Sequence, residues 1–141
     1  MSKTTRFYGN GGSFKVGDGY DYVADTLPVG VYTPVQDANG NWWCAPYGGI
    51  EVPRKIYGNL STKYADMCIN AWDFRARSTG FLLSGVSGSG KTLTAKMIAH
   101  TMMTGRGYPV FLIDRGIPGQ ALGDIFGKIK QPIVVIFEEI E

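Results

Sequence analysis

The sequence predicts an α/β protein with a small β-rich region at its N-terminus. In its last 60 or so residues, short apolar runs alternate with helical patterns, which indicates a parallel sheet with connecting helices. These runs are continuous, as in strands buried on both faces. The first third of the chain mixes aromatic and β-branched residues with Gly, Asp and Asn, which favours short strands and turns.

Composition restricts the function only weakly. The chain has 141 residues, of which 44% are hydrophobic and 18% charged, as expected of a globular domain. A formal net charge of +2 is too small to indicate nucleic acid or an acidic membrane as the partner. The absence of a long apolar run or a signal-type start predicts a cytoplasmic protein (host cytoplasm if it is viral). Cys44 and Cys68 lack metal-type spacing and are expected to be reduced thiols.

The β-rich region is predicted to cover residues 1–53. The segment "DANG", residues 37–40, is expected to be a hairpin turn between "VYTPVQ" and "NWWCA". Pro34 lies inside the first of these runs and favours an edge strand. "GNGGS", residues 9–13, lacks a lysine and a following helix, and we interpret it as a loop.

A helix is predicted over about 63–77. Ser61 or Thr62 is expected to cap its start, and Gly80 to end it. An apolar stripe at helical spacing is expected to face the core. Its members are Tyr64, Met67, Cys68, Ala71, Trp72 and Phe74.

Residues 81–141 are predicted to alternate strand and helix. The predicted strands are "FLLSG", "YPVFLID" and "PIVVIF", and the predicted helices are "GKTLTAKMIAHTMMTG" and "QALGDIFGKIK". His100, late in the first of these helices, is interpreted as a surface residue.

The segment "GVSGSGKT" has the spacing of a phosphate-binding loop. Gly85, Gly90, Lys91 and Thr92 match G-x-x-x-x-G-K-[ST]. Glycines let successive backbone N–H groups point at an anion, and the following helix directs its positive end to the same place. Lys91 is expected to reach the outer phosphates, and the Thr92 hydroxyl to ligate Mg²⁺.

An acidic strand end should complete such a site. The candidates are Asp114 after "VFLI" and the glutamates of "IVVIFEEIE". We favour the glutamates, because paired acids can divide the work. Glu138 would support the Mg²⁺, and Glu139 would activate the attacking water as the general base.

The combination of "FLLSGVSGSGKTLTAKMIAH" with "IVVIFEEIE" resembles the AAA+ ATPase family, with phage-type members as the nearest relatives. Glu138 stands where that family has aspartate. The resemblance covers residues 54–141 and implies a P-loop core that binds ATP and Mg²⁺. It also likens "VPRKIYGN" to the family's adenine-contact segment. The implied nucleotide-binding residues are Ile56, Tyr57, Gly58, Gly85, Ser87, Gly88, Ser89, Gly90, Lys91, Thr92 and Leu93.

The resemblance further implies hydrolysis coupled to remodelling of a macromolecule in a ring-shaped homo-oligomer, a hexamer. Glu139 and Lys91 would be its catalytic residues, and Thr92 and Glu138 its metal ligands. The sequence stops at Glu141, before the family's sensor strand, arginine finger and helical lid, so we expect an incomplete parallel sheet and a poorly active chain. The family's strand order, five-one-four-three-two, would leave strands 81–84 and 133–137 apart, with apolar edges exposed between them.

Two alternatives remain open. The phosphate loop is also similar to those of small-molecule kinases, in which Asp114 and Arg115 would hold the acceptor. The chain could instead be an assembly module that binds ATP with little turnover and uses Trp42, Trp43 and Tyr47 as partner contacts.

Overall fold

The computed structural model describes residues 5–10, 13–18, 26–48, 50, 52, 60–75, 79–81, 83 and 90–138. Their elements are β1 Thr5–Asn10, β2 Ser13–Asp18, β3 Val31–Gln36, β4 Trp42–Pro46, α1 Leu60–Arg75, α2 Lys91–Arg106, β5 Val110–Ile113, α3 Gly119–Lys128 and β6 Val134–Phe137. The protein is therefore α/β, as predicted. None of the described helices is long and apolar enough to cross a membrane.

The six strands form one mixed sheet in the order β1-β2-β4-β3-β5-β6. Pairing is antiparallel from β1 to β3 and parallel between β3, β5 and β6. The predicted strand–helix–strand unit at 110–137 is thus confirmed as a parallel pair with α3 between its strands. Strands from the predicted N-terminal region lie in the same sheet as β5 and β6.

The hairpin turn at residues 37–40 is confirmed. The Asp37 carboxylate accepts hydrogen bonds from the Asn39 and Asn41 backbone N–H groups, each at 2.9 Å, and from the Trp43 indole N–H at 2.9 Å. These bonds lower the pKa of Asp37, and the bond from Trp43 contributes most to the shift. Gly40 has φ +84°, a backbone conformation that favours glycine.

Two predictions about the β-rich region are wrong. β3 is an interior strand rather than an edge strand, with β4 on one side and β5 on the other. The β3–β5 register consists of Val31↔Val110 and Tyr32↔Phe111, so it ends before Pro34. Backbone bonds from Asp37 to Asn41 and from Tyr47 to Val31 show that odd-numbered residues of β3 face β4. Pro34 therefore faces β5 at the point where a missing N–H is tolerated.

The other correction concerns "GNGGS". Gly9 and Asn10 belong to β1, and Ser13 begins β2, with Asn10 paired to Ser13. Strand pairing continues to the end of the hairpin, as is common where the connection has two residues. The connection between β1 and β2 is therefore shorter than the predicted loop 9–13. Its residues 11 and 12 lie outside the described residues.

The α1 helix is confirmed, but its predicted cap is wrong and its predicted core face is only partly right: Cys68 is buried and Ala71 and Trp72 are half-buried, whereas the other members of the stripe are exposed. The helix is described over Leu60–Arg75, so Ser61 and Thr62 lie inside it. Residues 76–78, between Arg75 and the predicted stop at Gly80, lie outside the described residues. Ala65 and Cys68 are buried, whereas Phe74 is 92% exposed. The buried residues are three positions apart and form one face of the helix. Tyr64 and Met67, like Phe74, lie on the neighbouring face and are exposed.

The predicted strand before the phosphate loop is not confirmed. Phe81 and Leu83 have no strand assignment, and Phe81 is exposed. Neither residue lies in a ladder, and strands are defined by such pairing of backbone groups. Residues 82 and 84 lie outside the described residues.

One apolar cluster lies on the α3 side of the sheet. Its buried members are Leu27, Tyr32, Cys44, Phe111, Ile125 and Ile129. The Phe111 ring packs edge-on against Phe126 with a centroid distance of 5.1 Å. The Gln131 side chain bonds the Leu27 N–H at 2.8 Å and the Leu27 carbonyl at 3.0 Å. The cluster thus joins β3, β4, β5 and α3.

The chain divides into two compact units. One contains Met1–Gly49 and Gly107–Glu141, and the other contains Ile50–Arg106. In the second unit α1 packs on α2, and the Arg106 guanidinium forms two bonds with the Asp73 carboxylate. The predicted division at residue 53 stays a prediction.

Candidate functional site

Gly90, the last glycine of the predicted phosphate loop, has a positive φ at the start of α2. Gly90 has φ +92° and directly precedes α2, which begins at Lys91. At this φ a residue with a side chain is strained, so the glycine of Gly-Lys-Thr is needed for its backbone conformation. The Thr94 N–H and the Thr94 hydroxyl each bond the Gly90 carbonyl at 2.9 Å. These contacts tie the turn to the first turn of the helix.

The N-terminus of α2 is suited to an anion. Backbone N–H groups at a helix start point outward, and the helix dipole places partial positive charge there. The first turn contains no acidic residue, and it carries Lys91 and Thr92. Lys91 is half-buried and Thr92 is exposed. This end of α2 therefore combines positive charge with an accessible hydroxyl.

Two carboxylates follow adjacent parallel strands. Asp114 comes directly after β5, and Glu138 directly after β6. The Glu138 N–H donates to the Ile113 carbonyl at 3.0 Å, which fixes the two acidic residues side by side. The carboxyl ends of parallel strands are the usual location of ligand sites in α/β sheets. Asp114 and Glu138 are therefore well placed for a function at this edge.

Tyr47 contacts one of these carboxylates, although the sequence indicated it only as a partner contact. Its hydroxyl donates to the Asp114 carboxylate at 2.8 Å, across 67 positions of sequence. This hydrogen bond and the Asp114 charge raise the pKa of Tyr47, and the Glu138 charge adds a smaller contribution in the same direction. No local sequence signal identifies a contact between residues so far apart.

Arg115 directly follows Asp114 and contacts Thr33 of β3. The Arg115 guanidinium reaches the buried Thr33 hydroxyl at 3.4 Å. Arg115 also offsets the rise in the Tyr47 pKa. The strand-end cluster, defined as Tyr47, Asp114, Arg115 and Glu138, therefore contains one phenol, one guanidinium and two carboxyl groups.

Much of the predicted site lies outside the described residues. This holds for the general-base candidate Glu139, for Gly85 and residues 87–89 of the phosphate loop, and for the adenine segment 56–58. Among the site residues that the structure describes, Gly90, Lys91, Thr92 and Leu93 belong to the unit Ile50–Arg106, and Glu138 belongs to the other unit. The described residues contain no group of three or more His, Cys, Asp or Glu side chains that could hold a metal ion.

Comparison with known proteins found no relative of this chain. No family model matches the chain, and neither a curated protein nor a solved structure matches it. The functional argument therefore depends on the residues and their geometry.

Proposed function

We propose that this chain binds ATP with Mg²⁺ and hydrolyses it, as an ATPase of the AAA+ type that acts on a macromolecular partner. One observation carries the proposal. Gly90 adopts its positive φ immediately before a helix that starts at Lys91, within the spacing of a phosphate-binding loop. The carboxylates at the ends of β5 and β6 give independent support, because an ATPase needs acidic groups at such positions.

In this proposal the chain's own residues have distinct tasks. Backbone N–H groups around Gly90 and the Lys91 ammonium hold the β- and γ-phosphates. Glu139 orients and deprotonates the attacking water. Ile56, Tyr57 and Gly58 border the adenine. A ring of subunits would supply an arginine to the transition state from a neighbouring chain.

The donor types present fit Mg²⁺. The exposed Thr92 hydroxyl and the Glu138 carboxylate are hard oxygen donors, which this ion prefers. Bound Mg²⁺ would neutralise the charge on the phosphates.

The first test is ATP binding to the Lys91→Ala variant. We expect the variant to fold and to lose detectable binding by calorimetry, because the lysine charge contacts the outer phosphates. The matched control is Lys96→Ala, which removes a half-buried lysine from the next turn of the same helix and should bind as the parent does. Equal binding by the parent and Lys91→Ala would refute the phosphate-loop assignment.

Turnover separates the proposal from its alternatives. In the assembled, hydrolysing protein we expect phosphate release from ATP without transfer to sugar or sulfate-ester acceptors, and loss of release in Glu139→Gln with ATP binding intact. Acceptor-dependent transfer that is lost in Asp114→Asn would favour the kinase alternative. ATP binding with no turnover in the assembled protein would favour the assembly module.

A further inference from the structure

Two side-chain contacts join the β3–β4 hairpin to the residues that follow β5. The hydroxyl of Tyr47, the residue after β4, donates to the Asp114 carboxylate at 2.8 Å. The Tyr47 N–H donates to the Val31 carbonyl at 2.9 Å. The Arg115 guanidinium reaches the buried Thr33 hydroxyl at 3.4 Å. Tyr47 is therefore fixed to β3 through its backbone and to the end of β5 through its side chain.

These contacts lie where the backbone pairing between β3 and β5 has ended. That ladder ends at Tyr32↔Phe111, so Asp114 lies beyond it. On the other side of β5, the pairing with β6 continues to Ile113↔Phe137. The end of β5 is thus held by backbone pairing towards β6 and by side-chain bonds towards the hairpin.

Glu138 takes its position from the end of β5. Its N–H donates to the Ile113 carbonyl at 3.0 Å, and Ile113 directly precedes Asp114. A carbonyl belongs to the planar peptide unit that links its residue to the next one. A shift of Asp114 therefore moves the acceptor of the Glu138 bond. The contacts run from Tyr47 through Asp114 to the backbone of Glu138.

We propose that Tyr47 is a positioning residue for Glu138, which it holds in place through Asp114. The inference rests on the proposed function, in which Glu138 supports the Mg²⁺ of bound ATP. This ion demands near-ideal octahedral geometry, so a displaced supporting carboxylate weakens its binding. Contacts around a metal-supporting group commonly fix its orientation. Tyr47 lies outside residues 54–141, so the β-rich N-terminal region contributes a residue to the ATP site.

The first test needs neither ATP nor metal. Hydrogen exchange of the Glu138 amide, followed by NMR in the nucleotide-free chain, should become about threefold to tenfold faster in Tyr47→Phe, because a hydrogen bond to a carboxylate is lost. The Leu122 amide, bonded to Pro118 in α3, is the internal reference and should not change. Tyr64→Phe, at an exposed position in α1, is the matched control. Equal acceleration of both amides would indicate general destabilisation and overturn the proposal.

Variants of Asp114 test whether Tyr47 acts through it. Asp114→Asn keeps a side-chain oxygen that accepts from the phenol, so the Glu138 amide should exchange as in the parent. Asp114→Ala removes the acceptor and should match Tyr47→Phe. The double variant should exchange no faster than either single one, because both remove the same bond. Additive effects, or an unchanged Glu138 amide in both single variants, would contradict this role.

Calorimetry tests the link to the ATP site. With Mg²⁺ present, Tyr47→Phe should raise the Kd for ATP by about threefold to tenfold, and in EDTA it should change the Kd by less than about twofold. Parent-like affinity in Mg²⁺ would refute the positioning role and leave the proposed ATPase standing. A parent chain that binds no ATP, or a Lys91→Ala variant that binds it as the parent does, would refute the proposed function and the inference that rests on it, whatever the exchange result.

Discussion

β5 and β6 have similar sequences but different environments. Both are four-residue apolar strands, VFLI and VVIF, and they lie side by side in parallel register. All four residues of β5 are buried, whereas β6 has one buried residue and ends in the exposed Phe137. The difference arises because β5 has neighbours on both sides and β6 on one. An apolar run therefore predicts a strand, but its place in the sheet decides how much of it is buried.

The largest expected contrast is between two phenylalanines, one on each strand. Phe111→Ala should lower the free energy of unfolding by about 3–5 kcal/mol, because the ring is fully buried in the α3-side cluster. Phe137→Ala should change it by less than about 1 kcal/mol, since most of that ring is already in water. Denaturant unfolding measures both. Similar losses for the two variants would show that β6 is covered in solution.

A smaller effect is expected at the start of β6. Gln131→Ala removes both side-chain bonds to the Leu27 backbone, and Leu27 is buried. An unsatisfied buried N–H or C=O is costly, so we expect a loss of about 2–3 kcal/mol of unfolding free energy. Gln120→Ala, at an exposed position in α3, is the control and should stay within about 0.5 kcal/mol of the parent. If Gln131→Ala is equally neutral, this contact does not anchor β6.

The smallest expected effect is on the pKa of Tyr47, when the carboxylates after β5 and β6 are replaced in turn. The hydrogen bond with Asp114 is the largest cause that raises the pKa of Tyr47 above its ordinary value of 10, and the Glu138 charge contributes less. Asp114→Asn should therefore lower the Tyr47 pKa more than Glu138→Gln does. Titration of ¹³C-labelled tyrosine by NMR measures this, with Tyr47→Phe assigning the signal.

The sign of the associated stability change follows from the same shift. A phenol whose pKa is raised by folding stabilises the folded state below pH 10, and this contribution is lost as the pH rises through the folded value. Between pH 9 and more alkaline conditions, the free energy of unfolding should therefore fall more in the parent than in Tyr47→Phe. A larger pKa change from Glu138→Gln than from Asp114→Asn would contradict the observed geometry.

The sequence by itself determined the local elements. Turn chemistry fixed the hairpin at 37–40, where Asp37 accepts two backbone bonds and Gly40 supplies a positive φ. Glycine before a helical pattern placed the start of α2 at Lys91. Apolar runs separated by a helical pattern gave β5, α3 and β6. Each of these signals operates over a few residues, so a single sequence contains it.

The tertiary structure alone decided which elements meet. β3 is an interior strand because it pairs with β5, which lies about 80 residues further along the chain. A proline inside an apolar run predicts an edge strand, but here the pairing with β5 stops before Pro34, so the proline does not disturb it. The bond between Tyr47 and Asp114 likewise depends on strand order. In α1, Cys68 is buried and Phe74 is exposed, although helical spacing placed both on the same predicted stripe. Local periodicity predicts a strand or a helix, but it does not say which strands pair or which face is covered. Pairing between distant segments decides this, and the pairing of β5 with β6 places Asp114 and Glu138 next to each other.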